Sequence, residues 1–206
     1  VHPEALQKLV TEKELDAGFA FDGDGDRCIC VDENGNIVDG DGIMYILAKR
    51  LKSRGMLNKN TLVATVMSNS GLVNALEKIG IKCVQTKVGD RFVYECMQEN
   101  DYGLGGEQSG HIIFLDHMTT GDGQLAALQF LQILCESKLP VSKLAGDISR
   151  YPQVLINVAG PHDNAAKKVK IYFYLILNCI VRNAVQLPLV PQKKFLINMI
   201  CIQAQL

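Results

Sequence analysis

The chain reads as a layered α/β domain, a mixed sheet with flanking helices. Two patterns predict this. Short apolar runs of strand type alternate with stretches of about 10–15 residues whose apolar positions follow the helical period, the arrangement expected of strands linked by helices. Glycines then punctuate the boundaries, at Gly35, Gly55 and Gly80 among others. A third observation concerns use rather than fold. Asp22-Gly23-Asp24-Gly25-Asp26 follows directly on the apolar Gly18-Phe19-Ala20-Phe21, so three carboxylates sit at a strand end, where open α/β sheets bind their ligands.

In chain order, residues 3–14 have an amphipathic helical pattern, and strands at 17–21 and 28–32 flank the acidic loop. Asp32-Glu33-Asn34-Gly35-Asn36 is a strong hairpin turn leading into Ile37-Val38. Gly40-Asp41-Gly42 opens a helix carrying Ile43, Ile46, Leu47 and Leu51 at helical spacing and ending at Gly55. There follow strand 61–66, helix 70–79 stopped by Gly80, strand 81–86, helix 90–100, strand 111–115, helix 122–136 and a last strand at 153–158. No internal repeat or low-complexity stretch appears.

Composition sets bounds on function. At 206 residues the chain holds one domain or two small ones. A net charge of −1 provides no overall basic surface for nucleic acid. Seven scattered cysteines, without a C-x-x-C pair and mostly inside apolar runs, read as reduced core residues of a cytoplasmic protein. The chain opens on Val1-His2-Pro3-Glu4 with no signal-peptide pattern, and the missing initiator Met suggests a fragment. Residues 1–157 carry 15 Lys and Arg against 21 Asp and Glu, while residues 158–206 carry 6 against 1. That abrupt change sets 158–206 apart as a tail, of the kind an out-of-frame or unrelated junction would give. Its longest apolar run, Ile171 to Val181, is 11 residues and includes Asn178, short of the roughly 20 that a spanning helix needs, so no membrane partner is expected.

Three carboxylates on so short a glycine-rich loop repel unless a cation lies among them, and hard oxygen donors suit Mg²⁺ or Ca²⁺. With few protein ligands and room for water or phosphate, Mg²⁺ is the better match. A plain solvated turn is the competing reading. An EF-hand loop is excluded although Asp22, Asp24, Asp26 and Glu33 fall at its offsets, because Arg27 stands where its sharp turn needs glycine and Cys28-Ile29-Cys30-Val31 is a strand.

Three further junctions carry polar residues. Met67-Ser68-Asn69-Ser70-Gly71 reads first as an N-cap for the helix at 70–79. Thr86-Lys87-Val88-Gly89-Asp90-Arg91 places two cations beside a helix start, a good phosphate seat, with Asp90 as a simple cap the alternative. Gly105-Gly106-Glu107-Gln108-Ser109-Gly110-His111 is neither a P-loop, which needs Lys where His111 stands, nor a nucleophile elbow, which needs glycine at Glu107. A carboxylate, an amide, a hydroxyl and an imidazole together suit a polyol, with His111 able to trade a proton near neutral pH. Metal-assisted phosphoryl transfer on a sugar follows from the set.

The order DGDGDR, MSNSG, KVGDR and GGEQSGH resembles the α-D-phosphohexomutases, and its details are most similar to the bacterial phosphoglucosamine mutases. The resemblance runs from about residue 3 to about residue 157. It implies an incomplete copy of a phosphohexomutase-type domain repeat: the end of the second of four domains up to residue 38, the third domain over 39–150, and the start of a linker or fourth domain from 151. By this resemblance Asp22, Asp24 and Asp26 bind Mg²⁺, and Arg27 lies against the metal loop and a phosphoserine. Glu107 and Ser109 hold the hydroxyls of a phosphosugar substrate, with Arg91 at the phosphate seat. Lys87 and His111 stand near the transferring phosphoryl group. The family's Ser-His-Asn-Pro and Arg-x-Ser-Gly-Thr-Glu-Pro loops, from its first and fourth domains, do not occur in this chain.

Overall fold

The computed structural model describes residues 2–153. The strand expected at 153–158 and the tail over 158–206 lie outside the described residues, Gln153 apart.

Helix α1 (Glu4–Glu12) precedes an antiparallel sheet of three strands, β1 (Ala17–Phe21), β2 (Cys28–Asp32) and β3 (Ile37–Val38), in that spatial order. The turn between β2 and β3 is built by Asp32, whose Oδ1 accepts from the backbone N–H groups of Asn34 and Asn36 at 2.9 and 2.7 Å. Helix α2 (Gly40–Ser53) follows, capped by Asp39, whose side chain accepts from Gly42 N–H.

The second sheet contains β4 (Thr61–Thr65), β5 (Lys82–Thr86), β6 (Leu104–Gly106) and β7 (Ile112–Phe114), ordered β5-β4-β6-β7. The pairs β4·β5 and β4·β6 are parallel and β6·β7 is antiparallel, so the sheet is mixed, as expected. Helices α3 (Ser70–Lys78), α4 (Asp90–Asn100), α5 (Gly123–Ser137) and the short α6 (Val141–Leu144) complete the described chain.

The side-chain alternation of β4 shows how the layers form. Leu62 and Ala64 point into the larger core with α2, α3 and α5, while Val63 points to the other face and meets Val93 and Met97 of α4. β7 divides the same way, with Ile112 and Phe114 on one side and Ile113 on the other. All five residues of β4 are buried, which explains why its sequence shows no polar alternation. Helix α5 also covers the small sheet, where the Phe130 ring meets Phe19 edge-on at 5.6 Å. Residues 1–151 thus form one unit.

Three short elements were not expected, the first a 3₁₀ turn at Asn58–Asn60. β6 is three residues long and ends in two glycines, too short to show a period, and only its pairing with β4 and β7 makes it a strand. Helix α6 is a single turn. The junction read as a loop over 105–111 therefore begins inside the sheet. Bounds elsewhere moved by a residue or two, with α1 stopping at Glu12 and β4 at Thr65.

Candidate functional site

The acidic loop closes the β1–β2 hairpin and is held from inside and outside. Asp22 folds back over it, its Oδ1 accepting from Arg27 N–H at 3.1 Å and its carbonyl from Gly25 N–H at 3.2 Å. At the start of α5, Gly123 N–H donates to Gly25 O at 3.0 Å. From the other side, Cys28 N–H donates to Gly110 O at 3.0 Å and Arg27 forms a β-bridge with His111. Gly110 has φ +95°, and a Cβ there would lie 2.2 Å from Cys28 O, so only glycine lets these two loops touch.

Within this frame one carboxylate oxygen from each of Asp22, Asp24 and Asp26 lies within 4.8 Å of the others. Asp26 Oδ1 is buried without a hydrogen-bond partner, and Arg27 Nε stands 4.0 Å away. An all-oxygen donor set with an unsatisfied buried oxygen fits a hard divalent cation. The electrostatics agree. Desolvation raises the Asp26 carboxyl above its ordinary range, aided by the neighbouring carboxylates of Asp22 and Asp24, against the pull of His111. Asp22 is lowered: desolvation opposes this, but the Arg27 N–H, the adjacent Asp26 carboxyl and the Arg27 guanidinium outweigh it. Arg27 Nε is 3.6 Å from Asp22 Oδ2.

The loop between β6 and β7 brings Glu107, Ser109 and His111 beside the acidic loop. Glu107 Oε1 accepts from Gly89 N–H at 3.0 Å, which ties this loop to the basic one, and the Ser109 hydroxyl is 3.5 Å from Glu107 Oε2. Gly40 N–H donates to Gln108 O at the start of α2. Glu107 is half-buried and Ser109 exposed, so both remain able to meet a ligand.

His111, expected near the transferring phosphoryl group, is enclosed by the fold. It is buried, at 4 % exposure, because the β-bridge and the start of α5 close over it. Both ring nitrogens are engaged, Nδ1 at 3.0 Å from Asp26 Oδ2 and Nε2 accepting from Gly121 N–H at 3.0 Å.

The basic loop follows β5. Lys87 is exposed, with Nζ 5.7 Å above the Phe92 ring. Arg91, expected as the second cation of the phosphate seat, is exposed and pairs along its own helix. Its Nε is 2.6 Å from Glu95 Oε1, one helical turn along α4, and this partner raises its already high pKa. Asp90 is the first residue of α4 rather than its cap; Gly89 holds that position at φ +125°. The Met67–Gly71 junction has the capping role the sequence suggested, since Asn69 Oδ1 accepts from Gly71 N–H at 3.0 Å.

Four features are not assigned to the site by the sequence reading: the N–H groups of Gly89, Gly121 and Gly123, and the carboxyl of Asp41. Asp41 is 2 % exposed, and burial pushes its pKa up to about 7 despite a 2.7 Å hydrogen bond from Asn69 N–H. The repeated Gly-Asp-Gly at 121–123 was the available clue.

Residues 39–151 match the family model for the phosphoglucomutase/phosphomannomutase α/β/α domain III. The phosphoglucosamine mutase of Geobacillus kaustophilus is 63% identical over 157 residues, 76% of this chain and 35% of that protein. The Bacillus subtilis phosphoglucosamine mutase is 59% identical over the same length and shares. The chain thus spans about a third of the length of these curated relatives. Among solved structures, a phosphoglucomutase/phosphomannomutase family protein from Burkholderia thailandensis superposes with TM-score 0.63 at 27% identity, covering 74% of this chain and 34% of that one. An Aspergillus fumigatus N-acetylphosphoglucosamine mutase, solved with GlcNAc-6P and magnesium, has the same fold at TM-score 0.53 and 19% identity, over 65% of this chain and 33% of its own. With more than half its length matched by that model, the chain belongs to the phosphoglucomutase/phosphomannomutase family.

Proposed function

We propose that this chain supplies the metal loop and the sugar-binding loop of a phosphosugar mutase that interconverts glucosamine 6-phosphate and glucosamine 1-phosphate. The observation that carries this reading is the lacing of three loops: the carboxylates of 22–26, the polyol-binding Glu107 and Ser109, and the Lys87 loop tied on through Gly89. The identity to phosphoglucosamine mutases supports the choice of sugar.

Asp22, Asp24 and Asp26 would hold Mg²⁺. When bound, the ion neutralises negative charge on a phosphoryl group in transfer. Glu107 accepts hydrogen bonds from sugar hydroxyls, and Ser109 adds a donor or acceptor beside it. Lys87 meets phosphoryl oxygens as a point charge. Arg27, braced by Asp22, guides a phosphoserine toward the loop. Overall, the phosphoryl group leaves that serine for a sugar hydroxyl, giving a bisphosphate, and the sugar's other phosphate returns to the serine. The serine belongs to a part of the mutase outside these 206 residues, in the four-domain division where residues 1–38 end one domain and 39–150 form the next. The unpaired thiols Cys28, Cys30 and Cys83, all raised by burial, fit a cytoplasmic setting. Among the described residues no helix is long and apolar enough to cross a membrane.

The test is to assay a full-length mutase carrying these four loops on glucosamine, mannose and glucose phosphates. Preference for the amino sugar is expected, and preference for a neutral sugar would assign the phosphomannomutase or phosphoglucomutase specificity instead. The 206-residue chain alone should show no turnover, because metal and sugar contacts cannot replace the missing nucleophile. Isomerisation by the purified chain would defeat that expectation.

A further inference from the structure

Between the acidic loop and the start of α5 lies a chain of three groups, of which the proposed reaction uses only Asp26. Gly121 N–H points at His111 Nε2 from 3.0 Å, and His111 Nδ1 is 3.0 Å from Asp26 Oδ2. A nitrogen that accepts from a backbone N–H carries its lone pair there, so the ring proton sits on Nδ1 and is donated to Asp26. The ring cannot turn away. A Cβ on Gly121 would lie 2.6 Å from His111 Cε1 and Nε2, so the backbone packs directly against the imidazole. His111 is 4 % exposed, which leaves neither nitrogen facing open solvent.

The consequence falls on Asp26. With Oδ2 occupied by the imidazole, the other oxygen, Oδ1, is buried and has no hydrogen-bond partner. A carboxylate fixed at one oxygen by a buried donor presents the second in a set direction, and such outer-layer donors tune the affinity of the ligand they hold. Two residues on, Gly123 N–H grips Gly25 O, so the segment 121–123 fixes both the backbone of the acidic loop and, through His111, one of its carboxylates.

We infer that His111 is a positioning residue for Asp26, its tautomer set by the Gly121 N–H, and that it thereby sets the divalent-cation affinity of the acidic loop. The inference rests on the reading of that loop as the metal site.

The experiment uses the 206-residue chain and Mn²⁺ as an EPR-visible probe of a hard-cation site. An asparagine amide reaches about as far as Nδ1, whereas a glutamine amide reaches toward Nε2. His111→Asn should therefore bind Mn²⁺ close to wild type, and His111→Gln about 10-fold more weakly. Equal binding by both variants, strong or weak, would overturn the inference. Asp24→Asn separates the two readings: if wild type and Asp24→Asn bind alike, the metal site itself falls and takes the inference with it. Should either His111 variant fail to fold by circular dichroism, ¹⁵N NMR of the wild-type imidazole decides. The Nδ1–H tautomer is expected, and an Nε2–H tautomer would overturn the assignment.

Discussion

The acidic loop at 22–27 and the basic loop at 87–91 both follow strands and both offer charge, yet the fold treats them differently. Hydrogen bonds from β2, the 107–111 loop and the start of α5 hold the acidic loop, and its carboxylates are fixed to within a few ångströms. A hydrogen bond from Gly89 N–H to Glu107 ties the basic loop to the rest of the site, and Lys87 and Arg91 both lie on the surface. Repelling carboxylates need a scaffold to converge, because nothing in their own chemistry draws them together. Cations that meet a mobile anionic group gain less from being fixed in advance. The site is pre-organised where the metal would sit and open where the phosphate would arrive.

The largest effect should come from cutting the lacing of the acidic loop. Gly110→Ala puts a Cβ at 2.2 Å from Cys28 O on a backbone of φ +95°. A loss of at least about 2 kcal/mol is expected in denaturant unfolding. A variant as stable as wild type would mean the two loops can part freely.

A buried carboxylate outside both loops shows what burial does when it outweighs the other contacts. Asp41 ionises near 3.8 unfolded and near 7 in the fold, because burial disfavours its charge. The folded state therefore gains from holding the proton, and that gain is lost as pH rises from about 4 to about 7. Asp41→Asn should flatten the thermal midpoint across that window and exceed wild type above it. A wild-type curve already flat there would refute the shift.

On the basic loop, Gly89→Ala meets no backbone clash but must adopt φ +125°. It should cost about 1–2 kcal/mol and release Glu107, so a full-length mutase carrying it should show a raised KM for sugar. The smallest effect belongs to Lys87→Ala and Arg91→Ala, which should each stay within about 0.5 kcal/mol of wild type in thermal unfolding. In a full-length mutase, Lys87→Ala should lower kcat while Arg91→Ala does little, since Arg91 is paired with Glu95. The opposite order would put Arg91 rather than Lys87 at the phosphate.

Periodicity and turn chemistry are local, and where they decided the outcome the sequence was enough. The helix at 90–100, the hairpin turn at Asp32 and the strands around the acidic loop needed only neighbouring residues to specify them. The acidic cluster was legible for the same reason, since two glycines between three aspartates leave few other arrangements. Order among distant parts was not. β6 is a strand only because β4 and β7 flank it, and Arg91 faces Glu95 rather than Lys87 because α4 begins where it does. In the sequence His111 is an imidazole in a polar loop, able to trade a proton, with nothing to show its depth. Only the approach of Gly121, ten residues away, buries it against Asp26, because backbone N–H groups carry no sequence label and aim wherever the fold directs them.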